Sequence, residues 1–175
     1  HPRTRWKGRP LAGLLTVGIG QGVLAALGGW VAAMPALTVP DLTAVSLFDW
    51  VGIVAVALIT VGFYPITQIY QIKEDLDRGD LTFAAWVGPQ GAFRFAIVVQ
   101  ALAALLLVGV ISQVLGSLQA VIVAVFYGAL LAATVQWATH FDSANVFANF
   151  RRVMRINTFT SLGFLAFLTL HLLLL

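Results

Sequence analysis

Glu74, Asp75, Asp77 and Asp80 fall within seven positions and account for four of the seven acidic residues in a chain of 175. Carboxylate oxygens suit hard cations, and Mg²⁺ in particular bridges one or two carboxylates to the phosphate oxygens of a substrate. Lys73 and Arg78 lie among these acids, with Lys7, Arg9 and Arg152 expected in facing loops. Metal and cations together would hold phosphate, and a diphosphate is the natural guest. Immediately upstream, helical spacing places Tyr64, Gln68, Gln71 and Asp75 on one face, at offsets of four, three and four. Ile66, Ile69 and Ile72 fall elsewhere on the circumference, where they would pack or meet lipid. Pro65 frees the carbonyl of Val61 and favours a kink. Burying amides in hydrocarbon without partners is costly, so the stripe is expected to line a cavity that opens beside the acids.

The elements that must position this segment follow from composition. Hydrophobic residues make up 60% of the chain and charged residues 10%, against about 25% charged in soluble domains. The class is an integral membrane protein. Cysteine is absent, which excludes a disulfide framework and thiolate metal sites. A membrane helix needs about 20 apolar residues, and five segments qualify: roughly 11–34, 48–70, 95–115, 118–139 and 156–175. The first run is too long for a signal peptide and lacks a cleavage site. All ten basic residues fall at one end of this arrangement, on the N-terminal arm and the segments 71–94 and 140–155. By the positive-inside rule that end is cytoplasmic, and the net charge of +3 is no sign of nucleic-acid binding. The expected fold is therefore all-α, a polytopic bundle of five transmembrane spans in one domain.

Two readings of 73–80 stand at this level. The bland one is a solvated interfacial loop, with Gly79 as a helix C-cap and Thr82 as the next N-cap. Against it, Gln68 and Gln71 precede the loop and serve no solubility role. Gln100, Gln113, Gln136, Asn157 and Thr158 are open between helix–helix hydrogen bonds and cavity contacts, and Gln136 is the expected cavity residue. His140 with Asp142 reads as a capped helix terminus, and the three histidines are too scattered for metal-ligand spacing.

Tyr64–Gly88 reads YPITQIYQIKEDLDRGDLTFAAWVG and resembles the second aspartate-rich motif of the UbiA superfamily of membrane prenyltransferases. Thr67 and Gln68 match the polar pair, Asp75 the second aspartate, and Gly79, Thr82 and Gly88 the positions that follow; Gln71 replaces the first aspartate. The basic stretch Pro2–Pro10 looks like the loop before the family's fifth span, and Phe150–Asn157 is similar to the F-R-x-x-M-R-x-N pattern leading into the ninth. The resemblance covers the chain in the correct order and implies the last five spans of a nine-helix bundle. The first motif, N-x-x-x-D-x-x-x-D, is absent from these 175 residues; with the start at His1, the expectation is the C-terminal part of a longer enzyme, inactive by itself.

The resemblance further implies Mg²⁺-dependent transfer of a prenyl group from a polyprenyl diphosphate to a lipophilic or aromatic acceptor. It implies an enzyme of a bacterial-type inner or cell membrane with cytoplasmic active-site loops, acting in isoprenoid quinone biosynthesis. Asp75, Gln71 and Glu74 would hold metal, with Asp80 a further catalytic carboxylate. Lys7, Lys73, Arg78, Gln68 and Tyr64 would contact diphosphate or line the site. Two other classes remain beside it: a non-catalytic relative that binds prenyl lipid, and half of a transporter bundle.

Overall fold

A computed structural model of the chain describes residues 6–33 and 42–173. It is an all-α bundle of five helices, each long and apolar enough to cross a membrane: α1 Pro10–Ala33, α2 Leu47–Asp77, α3 Phe83–Val114, α4 Ser117–Thr139 and α5 Val146–Leu173. Arg3, Arg5 and the Lys7 side chain, expected near the acids, lie outside the described residues, as do Pro35, Pro40 and Asp41.

The helices alternate in direction, and their charged ends are tied together by side chains. Leu81 N–H donates to the Gly8 carbonyl at 3.2 Å, fixing the arm before α1 against the α2–α3 link. Gln90 Nε2 donates to the Ala138 carbonyl at 3.5 Å, and Trp137 Nε1 to Asn149 Oδ1 at 3.1 Å. The Tyr70 and Phe150 rings meet edge-on at 5.3 Å, joining the end of α2 to the start of α5. At the opposite end Ser46 and Asp49 form a reciprocal capping box that starts α2.

Three helices depart from regular α geometry, and each departure aims the site. In α1, Gly18–Leu24 is a π-helical stretch. Gly18 and Gly22 there sit against α2: a Cβ on Gly22 would fall 2.6 Å from the Ala57 Cα, and one on Gly18 would fall 2.8 Å from Val61 Cγ2. This is small-residue packing of the kind that lets membrane helices approach closely. In α2, Tyr64–Gln71 is a 3₁₀ helix, far longer than the usual three or four residues. Pro65 lies at its start, where the ring's fixed φ and missing N–H are tolerated.

The 3₁₀ stretch redraws the faces expected from α spacing. With three residues per turn, Ile66, Ile69 and Ile72 form one column rather than three scattered positions. Ile66 and Ile69 are buried with Ala84, Ala92, Phe93, Ala96, Trp137 and Val153, and Ile72 packs against them. The isoleucines are therefore core, not lipid contacts. Phe93 anchors this cluster, with Trp137 edge-on at 5.0 Å and Phe141 at 5.5 Å.

The third and fifth spans begin about a dozen and ten residues earlier than their hydropathy suggests, at Phe83 and Val146. In α3 the cause is a kink at Gly88, with φ 71° and ψ 168°. A short capped segment runs from Phe83, and Pro89 restarts the helix as the span proper. Gly88 occupies a region of backbone space that essentially only glycine enters. A Cβ there would touch nothing within 4 Å, so only backbone strain opposes substitution. Gly88→Ala is expected to cost about 1–3 kcal/mol, read as a lower melting temperature in detergent. Gly109→Ala, also in open space but inside regular helix, should be neutral or slightly stabilising.

Candidate functional site

Among the described residues Asp75 is the most completely buried acid, at 0% exposed. The end of α2 holds it in place through a glycine-terminated helix cap. Gly79, at φ 74°, takes the left-handed position. Asp80 N–H donates to the Asp75 carbonyl at 2.8 Å, and Gly79 N–H to that of Leu76 at 2.9 Å. The cap turns Asp75 inward while the chain reverses into α3. One carboxylate oxygen, Oδ1, accepts from Arg78 Nη2 at 3.1 Å. The other, Oδ2, is buried and has no hydrogen-bond partner among the described residues. A buried acceptor left in this state is costly, so it calls for a physical explanation.

The rest of the acidic segment is arranged around Arg78. Glu74 Oε1 meets Arg78 Nη1 at 3.1 Å on the exposed side, so one guanidinium spans both Glu74 and Asp75. Lys73 and Asp77 are exposed, and Asp80 is half-buried beside the N-terminal arm. A Cβ on Gly8 would fall 2.6 Å from Asp80 Oδ1, so the arm's backbone lies directly on this loop. The expected meeting of basic arm and acidic segment is thus present at the level of the backbone.

The polar stripe divides. Gln68 is buried, and its Oε1 accepts from Ala84 N–H at 3.3 Å. Thr82 Oγ1 accepts from Ala85 N–H at 3.4 Å, so two side chains satisfy the orphan donors that start α3. Gln68 therefore joins α2 to α3 beside the site. Gln71 is half-buried at the junction of the 3₁₀ and α segments. Tyr64 faces α1, where a Cβ on Gly13 would fall 3.1 Å from its hydroxyl.

Tyr64 also lines an open cavity of about 490 Å³ to which all five helices contribute. Its polar lining comprises Gln21, Thr60, Tyr64, Thr67, Gln100, Tyr127, Asn157 and Thr160, set among Val17, Ile59, Phe63, Leu130 and Ile156. Gln100 is 6% exposed, with Nε2 unpartnered among the described residues. Asn157 and Gln100, open from sequence, are cavity residues, whereas Gln136 lines a second pocket nearer the charged end. Gln21 and Tyr127 were missed. Gln21 sits in a glycine-rich run whose π geometry no hydropathy pattern announces, and Tyr127 is the single phenol in an otherwise apolar span.

Asp75 Oδ2 suits one position on Mg²⁺, an ion that commonly takes one or two protein carboxylates and completes its shell with water and substrate phosphate. Among the described residues no three His, Cys, Asp or Glu side chains gather into a metal cage, and Glu74 and Asp75 share Arg78. Asp75 Oδ2 thus offers one oxygen without a protein partner among the described residues. Compared with protein families, curated proteins and solved structures, the chain matches none, so any functional reading rests on these side chains and their surroundings.

Proposed function

We propose that the chain carries one half of a UbiA-type prenyl-transfer site, with Asp75 as its metal-holding carboxylate and the central cavity as its reaction chamber. The observation that carries this reading is the buried Asp75 carboxylate, one oxygen paired with Arg78 and the other unpartnered among the described residues, on the helix whose Tyr64 and Thr67 line the cavity. A structural acid would be paired on both oxygens or face water.

On this reading the substrates are a polyprenyl diphosphate and a lipophilic or aromatic acceptor. Mg²⁺ held by Asp75, with Gln71 or Glu74 beside it, would supply neutralisation of the charge developing on the leaving diphosphate. Arg78 orients the Asp75 carboxylate through its 3.1 Å contact with Oδ1, and with Lys73 and Lys7 offers positive charge to the same leaving group. The allylic C–O bond breaks, diphosphate departs, and an acceptor carbon forms the new C–C bond and loses its proton. Ile59, Phe63, Leu130 and Ile156 give the cavity apolar walls, which would limit hydrolysis of the cation. The charged end of the bundle is cytoplasmic by the positive-inside rule.

The opposing motif N-x-x-x-D-x-x-x-D that the resemblance calls for is not in these 175 residues, so the test uses the full-length protein. Labelled polyprenyl diphosphate should be transferred to an aromatic acceptor with Mg²⁺ and not with EDTA. Gln71→Asp should preserve or raise the rate, because it restores a charged ligand at the junction beside Asp75; a rate at least about tenfold lower would remove Gln71 from the metal's surroundings. A second reading has one observation in its favour. Arg78 spans both Glu74 and Asp75, as it would in a relative that binds prenyl lipid without turning it over. Binding of the diphosphate with no product in the same assay would select that reading.

A further inference from the structure

Between α4 and α5 at the charged end lies a second pocket of about 380 Å³, lined by Gln136, Trp137, His140, Arg152, Arg155 and Ile156, with Ala133. Arg152 and Arg155 are three residues apart on α5, so their side chains leave the same face. No carboxylate lines the pocket, and neither arginine has an acidic partner among the described residues. Asp142, the acid nearest in sequence, accepts from Ala144 N–H at 2.9 Å. Arg151 turns elsewhere, its guanidinium 4.8 Å from the centre of the Phe147 ring. His140 Nδ1 lies 2.9 Å from both the Gln136 carbonyl and Thr139 Oγ1, so that edge of the ring is engaged at the end of α4 and Nε2 is its other polar atom.

Ile156 belongs to the wall of this pocket and of the central cavity. Across that wall waits Gln100, more than nine-tenths buried with an unpartnered amide nitrogen. A cationic mouth and a cavity holding an unmet donor, in contact through one apolar side chain, suit a ligand charged at one end. We infer that they form one site for an amphiphilic oxyanion, its carboxylate or phosphate held by Arg152 and Arg155 and its apolar body lying in the cavity with an oxygen accepting from Gln100. Its charged end is separate from Asp75, its apolar end is the central cavity itself, and binding there does not depend on prenyl transfer. Its occupant is either a phospholipid of the surrounding bilayer or a distinct amphiphile.

The test is binding to the protein in zwitterionic nanodiscs, with empty nanodiscs subtracted and no Mg²⁺ or prenyl diphosphate present. Dodecyl phosphate and dodecanoate are expected to saturate. Dodecanol and inorganic phosphate are expected to bind at least about tenfold more weakly, because each lacks one half of the ligand. Arg152→Gln with Arg155→Gln should weaken dodecyl phosphate by at least about tenfold; both side chains are exposed, so the melting temperature should hold. The matching lysine pair should keep most of the affinity; Gln100→Leu should leave dodecyl phosphate unchanged, because its chain has no acceptor for the amide, and should weaken lysophosphatidate, whose ester carbonyl can accept from it. Adding phosphatidylglycerol to the nanodiscs separates the sources: competition identifies a bilayer lipid, and its absence a distinct amphiphile. Dodecanol or inorganic phosphate binding as tightly as dodecyl phosphate, or unchanged affinity in the double glutamine variant, would overturn the assignment.

Discussion

Asp75→Asn in the full-length protein is expected to lower prenyl transfer by at least about tenfold while leaving the melting temperature unchanged or raised. The two halves of this expectation have one cause. A carboxylate with no exposed surface and a single ion-pair partner, itself half exposed, recovers little of what its desolvation costs. Asparagine keeps the shape and can still accept from Arg78, but it removes the charge and leaves no anionic oxygen for a cation. If Asp75 served the fold, the variant would lose stability and activity together. If it serves the metal, activity falls alone. An unchanged rate would remove Asp75 from the reaction, and with it the main support for prenyl transfer. Asp75→Ala is the harsher companion, since it also opens a void, and its rate should be no higher than that of Asp75→Asn.

The five helices, their alternating direction and the concentration of charge at one end are legible in the sequence because each depends on composition summed over about 20 residues. The site was legible in part, and the boundary falls where local geometry leaves the α-helical period. Tyr64 does line the cavity, and Asp75 does face inward. Between them the 3₁₀ stretch turns Gln68 to the start of α3 and gathers Ile66 and Ile69 into the core, an outcome that a 3.6-residue period does not give. The apolar run begins near 95, so the twelve residues of α3 before it, bent at Gly88 and Pro89, lay outside the expected span. Arg152 was expected in a loop facing the acids, and it instead shares a pocket with Arg155 between α4 and α5. Their shared pocket exists only because α4 ends beside the first turns of α5, a tertiary relation that neither segment encodes alone.

Gly18 and Gly22 carry the second large effect. Gly22→Leu is expected to separate α1 from α2, because the nearest atom to the new Cβ is the Ala57 Cα at 2.6 Å, which no rotamer change can move. Overpacking commonly costs about 1–3 kcal/mol. In a bilayer no hydrophobic force holds the two helices together once their close packing is lost. The chain contains no cysteine, so an introduced pair reports alone. Gly18→Cys with Val61→Cys is well placed, since the second substitution removes the methyl that the first Cβ would strike at 2.8 Å. Oxidation should join this pair rapidly in the otherwise unaltered protein, and Gly22→Leu should slow it by at least about tenfold, which corresponds to about 1.4 kcal/mol of lost docking. Ala57→Gly should not restore the cross-link, because it deletes the Ala57 Cβ at 2.8 Å but leaves the closer Cα in place. Full rescue by Ala57→Gly would mean that side-chain volume, not backbone approach, limits the contact. Loss of α1 also strips Val17 and Gln21 from the cavity. Gly22→Leu should therefore weaken binding of cavity ligands while the Arg78 ion pairs with Glu74 and Asp75, which belong to α2 and the turn after it, persist.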